Sequence, residues 1–192
     1  MGRIFCLMGK SSSGKDTVYK RLRKWNPEFR TIVLYTTRPA RDGERDGETY
    51  FFVDDIKLQE MEEEGKVIEK RSYHTIHGIW TYFTADDGQI DLDRYDYVII
   101  GTLESFQDIK EYYGEEKVIP IYIEVDNGVR LRRALKREER QTNPKYAEMC
   151  RRFLADEEDF SEENLEKCGI DRRFINHDLN ACVREIEKYI KK

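Results

Sequence analysis

Residues 9 to 17 read Gly-Lys-Ser-Ser-Ser-Gly-Lys-Asp-Thr, a G-x-x-x-x-G-K spacing set between an apolar run, Arg3 to Met8, and a helix-forming stretch, Asp16 to Lys24. That order of strand, loop and helix is half of a βαβ unit, and it restricts the chain to folds with a buried parallel strand at their centre. Glycines at 9 and 14 let the backbone turn tightly with its N–H groups inward, where they and the positive end of the helix dipole hold phosphate oxygens. Gly9, Lys10, Ser11, Ser12, Ser13, Gly14, Lys15, Asp16 and Thr17 are therefore the candidate phosphate ligands, with Lys15 as the mobile cation for β and γ phosphates. A Ser or Thr that ligates Mg²⁺ usually follows the lysine; here Asp16 stands in that place and the hydroxyl comes one residue later, at Thr17. Asp16 and Thr17 are the candidate Mg²⁺ ligands, directly or through water.

A chain of 192 residues leaves room for one sizeable domain. With 39% hydrophobic and 38% charged residues it is expected to be globular and soluble, and its longest apolar run, Ile4 to Met8, falls far short of a membrane helix. Cys6, Cys150, Cys168 and Cys182 lie far apart, which argues against a zinc site or a disulfide framework and for a reducing cytoplasm. The formal net charge of -5 argues against nucleic acid as a partner, so any basic site is local. One such place runs from Arg130 to Arg140, where five Arg and one Lys face two Glu. The acidic run Glu60 to Glu64 reads as a solvated helix face.

Thr31 to Tyr35, Tyr97 to Gly101 and Val118 to Val125 are the other core-strand candidates, which with intervening helices make a parallel α/β sheet. Tyr50 to Val53, Val67 to Tyr73 and Ile79 to Phe83 read as shorter strands around a helix, Asp54 to Glu64, ended by Gly65. Beyond Gly128 the chain is helical and Arg-rich, pauses at Asn143-Pro144, and runs helically again to about Phe160 before a last strand, Phe174 to Asn176, and a closing helix. In the first of these helices, 100° per residue puts Arg130, Arg133, Arg137 and Arg140 on one face and Leu131 and Leu135 on another. Arg151 and Arg152 follow on the next. His74 and His77 have a spacing open to metal, but without a third ligand they read as loop residues.

Leaving the second core strand, Tyr35 to Val53 carries Arg38 and Arg41 beside Pro39, a pair suited to grip a phosphate dianion; composition alone leaves open a solvated turn. With the phosphate loop, this segment resembles the guanylate kinase family. The family pattern T-T-R-x-P-R-x-G-E-x-x-G-x-x-Y-x-F-V is matched by Thr36, Thr37, Arg38, Arg41, Gly43, Glu44, Gly47, Tyr50, Phe52 and Val53, with proline displaced by one position. The likeness continues through Lys66-Val67-Ile68-Glu69 to Ile175-Asn176-His177-Asp178-Leu179.

The resemblance implies a P-loop NTPase parallel sheet flanked by helices, with a small inserted β lobe for the nucleoside monophosphate (NMP) and a helical, Arg-rich lid. It divides the chain into a core (1–35, 95–128 and 165–192), an NMP-binding lobe (about 36–94) and a lid (about 129–164). It implies Mg²⁺-assisted transfer of phosphate from ATP to GMP or dGMP, with no nucleic acid or membrane partner. Thr36, Arg38, Arg41, Tyr50 and Tyr82 would serve the GMP phosphate and its surroundings, and Glu69 would accept from guanine N1 and the 2-amino group. Thr84 and Thr102 would lie near the base. Thr81-Tyr82-Phe83-Thr84 is similar to the family's Tyr-Tyr-Gly-Thr, and Ile100-Gly101-Thr102 replaces its D-x-D. Lys15, Arg137 and Arg151 would be catalytic, and Asn176 would meet the adenine edge. A kinase of another NMP and a non-catalytic module of the same fold are the alternatives; RNA binding through the arginine face fits the net charge poorly.

Overall fold

The computed structural model describes residues 2–75 and 78–191. In chain order its elements begin with β1 (Ile4–Met8), α1 (Lys15–Trp25), β2 (Arg30–Thr31), β3 (Tyr35–Thr36) and β4 (Phe51–Phe52). Next come α2 (Asp55–Glu63), β5 (Val67–Thr75), β6 (Gly78–Ala85), β7 (Tyr97–Ile100) and α3 (Leu103–Tyr113). The remainder is β8 (Val118–Glu124), α4 (Asn127–Glu139), α5 (Tyr146–Asp159), α6 (Glu162–Lys167), β9 (Arg173–Ile175) and α7 (Leu179–Ile190).

Because side chains alternate across a strand, the wholly buried β1 feeds two cores at once. Ile4, Cys6 and Met8 meet Leu103, Phe106 and Ile109 of α3 on one face; Phe5 and Leu7 meet Val18 and Leu22 of α1 and Val183 and Ile186 of α7 on the other. The sheet runs β2-β7-β1-β8-β9 with every pair parallel. This is the α/β fold expected. Its strand ends deliver the loop after β1 and the turn after β7 to one edge, where open parallel sheets place their ligands.

A second sheet, β4-β3-β6-β5, has its own small core of Leu58, Met61, Phe83 and Ala85, closed by Tyr35 stacked on Phe83 at 5.0 Å. Asp54 caps α2 by accepting from Lys57 N–H at 2.8 Å, and Gly65 ends it at φ 67. The hairpin β5–β6 continues past the expected strand ends to Thr75 and Gly78. His74, read from the sequence as a loop residue, lies in β5 opposite Ile79; His77 lies outside the described residues.

Two further expectations need correction. Thr31 to Tyr35 is not one core strand: Arg30 and Thr31 pair with Tyr97 and Val98 in the first sheet, and Tyr35 and Thr36 pair with Phe83 and Tyr82 in the second. The Gln89 side-chain amide occupies the gap, accepting from Val33 N–H at 2.8 Å and donating to Val33 C=O at 3.2 Å, so a side chain replaces a partner strand. The short helix α6 was not foreseen, although Ser161 caps it and Glu162 and Glu163 fill its first turn.

Gly101 ends β7 where no larger residue fits, since a Cβ there would stand 2.8 Å from both Cys6 Sγ and Ser105 Oγ. Gly101→Ala is expected to cost about 1–3 kcal/mol by urea unfolding. In a Cys6→Ala background, which removes one of the two obstacles, the cost should shrink by about 0.5 kcal/mol or more.

Candidate active site

The loop between β1 and α1 is held in a backbone conformation few residues tolerate. A Cβ on Gly9 (φ 153) would lie 2.5 Å from the Ile123 carbonyl oxygen, and one on Gly14 (φ 91) 2.6 Å from Asn176 Nδ2. Ser12 is left-handed at φ 64, a strain of about 1–3 kcal/mol that persists at ligand clamps. Helix α1 starts on Gly14 without a side-chain cap, so its first-turn N–H groups carry the helix's partial positive charge uncovered. Ser12 Oγ and Ser13 Oγ are buried without a partner, each at a desolvation cost of about 1–3 kcal/mol. A polar, donor-lined cradle with unsatisfied hydroxyls is what phosphate oxygens fit.

The loop is fastened from behind. Arg130, 1% exposed, donates from Nε to Ser11 C=O at 3.0 Å, from Nη2 to Asp156 at 3.0 Å and from Nη1 to Glu157 at 2.5 Å. Asp156 also accepts from Ser11 N–H at 2.8 Å, and Glu157 from Lys10 Nζ at 2.9 Å. Arg133 reaches the carbonyls of Ser12 and Ser13 at 3.4 Å, and Asn176 Nδ2 donates to Ser13 C=O at 2.8 Å. Asn176 and the first two arginines of the α4 face thus grip loop carbonyls. The usual amphipathic arrangement is inverted, because Leu131 and Leu135 point outward at 39% and 42% exposure.

In front of the loop, Ser11, Ser12, Arg41, Arg137 and Arg152 line a cleft of ≈ 410 Å³. Burial pushes the Lys15 ammonium below its ordinary range; Asp16 and Asp156 pull it back, and the nearby Arg152 and Arg137 push it down further. Lys15, Arg41, Arg137 and Arg152 are therefore brought together, while Arg151 is not: it points to solvent and pairs with Glu148 at 2.8 Å. Arg152 precedes Asp156 by one helical turn and shares the face that meets the loop, whereas Arg151 is rotated away. That i,i+4 relation to an acidic residue was the signal in the sequence.

On the opposite side, Asp16, Leu34, Tyr50, Arg71, Tyr82 and Ile100 line a cavity of ≈ 660 Å³. Arg38 is 4% exposed and forks onto Glu44 at 2.7 and 2.6 Å, donating from Nε to the Tyr82 hydroxyl at 3.0 Å. That pairing raises Arg38 above its usual range and holds Glu44 down to about 2. Tyr50 packs edge-on against Tyr82 at 5.6 Å. Burial raises its phenol. Thr36 is spent internally, its hydroxyl donating to Thr81 C=O at 2.9 Å and accepting from Arg38 N–H at 3.3 Å.

A register shift between Val67 and Glu69 sets Glu69 opposite Thr84, whose hydroxyl donates to Glu69 Oε1 at 2.7 Å. Glu69 is buried. Its remaining partner, Arg71, was missed by sequence reasoning although it lies two residues on, the spacing that shares a strand face. Thr102 lines a separate cavity of ≈ 460 Å³ and serves as the N-cap of α3, accepting from Ser105 N–H at 3.2 Å.

Among the described residues no group of three or more His, Cys, Asp or Glu gathers as a metal site. What Asp16 and Thr17 fit is a hard cation that takes most ligands from phosphates and water: both are exposed oxygen donors on the turn beside the unsatisfied serines.

The guanylate kinase family profile matches residues 1–192. The guanylate kinase of Thermobifida fusca (strain YX) is 45% identical over 67 residues, 35% of this chain and 34% of that protein. That of Tropheryma whipplei (strain Twist) is 40% identical over 76 residues, 40% and 38% of the two. The matched segments thus span about a third of the length of these curated relatives. The crystal structure of guanylate kinase from Anaplasma phagocytophilum superposes with a TM-score of 0.64 at 19% identity, over 99% of this chain and 85% of the other.

Glu44 supplies a pH test. A carboxylate whose folded pKa is depressed from 4.5 to about 2 adds stability that is present above the unfolded value and lost as pH falls through that window. Glu44→Gln is expected to be less stable than wild type above about pH 5, with the gap closing toward about pH 2 in urea unfolding.

Proposed function

The chain belongs to the guanylate kinase family, and on that premise we propose that it transfers the terminal phosphate of ATP to GMP and dGMP. The observation that carries the proposal is the meeting of Arg41, Arg137 and Arg152 around one cleft at the phosphate loop, with Lys15 close enough to Arg137 and Arg152 to feel their charge. In this reading the loop residues Gly9 to Thr17 hold the ATP phosphates, Asn176 borders the adenine, and residues 129–164 act as the lid. Residues 36–94 form the acceptor lobe, where Arg38, Arg41, Tyr50 and Tyr82 receive the GMP phosphate and Glu69 and Thr84 face the base. The activity is assigned to the cytoplasm. No helix among the described residues is long and apolar enough to cross a membrane.

Phosphoryl transfer asks little covalent work of a protein. The acceptor phosphate is already ionised at neutral pH, so no general base is needed, and catalysis consists of alignment and charge stabilisation. Lys15, held in a partly desolvated position, spans the β and γ phosphates and stabilises the charge that builds on the leaving β phosphate; Arg137 and Arg152 cover the oxygens of the migrating group and exclude water. Arg41 holds the acceptor phosphate from the other wall. Asp16 and Thr17 would hold Mg²⁺, which when bound neutralises charge shared between ATP phosphates.

Measuring ADP release with GMP, dGMP, AMP, CMP and UMP tests the assignment. Guanine nucleotides should be fastest, and a faster reaction with any other base would overturn it. Lys15→Met should lower kcat more than a hundredfold with an unchanged circular dichroism spectrum, equivalent to about 3 kcal/mol of lost charge stabilisation. Arg41→Ala should raise KM for GMP far more than KM for ATP; equal effects on both would move this arginine out of the acceptor site.

A further inference from the structure

Reading guanine requires two kinds of partner: acceptors for N1–H and the 2-amino group, and donors for O6 and N7 on the neighbouring edge. Glu69 supplies only acceptors. Leu34 and Ile100, which line the ≈ 660 Å³ cavity, offer no side-chain polar atom, and the Thr102 hydroxyl is engaged in capping α3. Arg71 remains. Residues two apart on a strand project to the same face about 6.8 Å from one another, a spacing matched to the width of a purine. Arg71 donates from Nε to Glu69 Oε2 at 3.0 Å and from Nη2 to Oε1 at a longer 3.3 Å. Its Nη1 makes no hydrogen bond among the described residues. Arg71 and Tyr73 line both the ≈ 660 Å³ and the ≈ 460 Å³ cavities, so this guanidinium stands at the partition between them.

The Glu69 carboxylate has about four lone-pair positions, of which Thr84 and Arg71 take three. Guanine needs two, so one donor must yield, and the 3.3 Å contact is the weakest. Releasing it frees Nη2 beside the unspent Nη1, which together form the fork that bridges guanine O6 and N7. A buried ion pair is weak evidence for stability in its own right. Its place on a substrate cavity is accounted for by what it binds.

We propose that Arg71 is a specificity-determining residue that donates to the O6 and N7 edge of the acceptor guanine while Glu69 accepts from the N1 and 2-amino edge. The proposal rests on the reading of this cleft as a GMP site. It is tested by kcat/KM for GMP, IMP and 7-deaza-GMP, which has C–H in place of N7, in wild type, Arg71→Met and Arg71→Lys. Wild type should prefer GMP over 7-deaza-GMP by about tenfold. In Arg71→Met that preference should fall to near unity and kcat/KM for GMP should drop roughly ten- to a hundredfold, with KM for ATP unchanged. The GMP to IMP ratio, which reports on Glu69, should hold. Arg71→Lys keeps a cation beside Glu69, and so protects the fold, but lacks the fork; its GMP to 7-deaza-GMP ratio should also fall. A ratio within about twofold of wild type in Arg71→Lys overturns the proposal, whether or not Arg71→Met folds. Absence of guanine nucleotide turnover in wild type itself overturns the underlying functional reading, and this inference with it.

Discussion

On the proposed function, the backbone N–H groups at the start of α1 have to be left uncapped for phosphate and yet be held rigid, and most of the structure around them answers that constraint. No side chain of the loop caps the helix: Gly14 has none, and the Ser12 and Ser13 hydroxyls are left without a partner. Rigidity comes instead from behind, where the buried guanidinium of Arg130, Arg133 Nη1 and the Asn176 amide donate to the loop's carbonyls. Asp156 accepts from Ser11 N–H and so ties α5 to the loop as well. Helix α5 has no buried residue, so its attachment to the rest of the chain is largely ionic and concentrated at that same place.

The charged residues divide by what they touch. Arg130 and Lys10 are matched to carboxylates and act as fasteners. Removing one partner of such a buried set leaves an uncompensated charge, which makes the set costly to break even where it adds little net stability. Arg38 is paired with Glu44, a carboxylate fork that has the shape and charge of a phosphate edge. Lys15, Arg41 and Arg152 make no salt bridge among the described residues, and Arg137 has only a 3.9 Å contact to Glu138. The cations gathered at the phosphate loop thus keep donors unspent, as a site built for a polyanion requires.

Much of this was legible in the sequence because it depends on local rules. The loop is bounded by glycines whose φ values few other residues adopt, the α2 cap is set by Asp54, and the parallel sheet follows from short, doubly buried apolar runs. What escaped depends on tertiary partners. The break between Thr31 and Tyr35 arises from a Gln89 amide more than fifty residues away. The Thr102 hydroxyl could be read as a base contact or as a helix cap, and only the position of Ser105 N–H separates them. Arg151 and Arg152 are equivalent in composition; helical phase relative to Asp156 distinguishes them. Arg71 was passed over because its meaning depends on Glu69, and that pairing appears only once β5 is seen to carry both on one face.

The central claim is that donor and acceptor phosphates meet in one cleft between the loop, the α4–α5 segment and the Arg38–Tyr50 segment. Calorimetric titration with adenosine and guanosine joined through five phosphates addresses it directly, because a ligand spanning both sites gains the effective concentration of an intramolecular second contact. The account predicts one ligand per chain, bound at least about a hundredfold more tightly than ATP or GMP alone. Binding no tighter than ATP, or two ligands per chain, would contradict it.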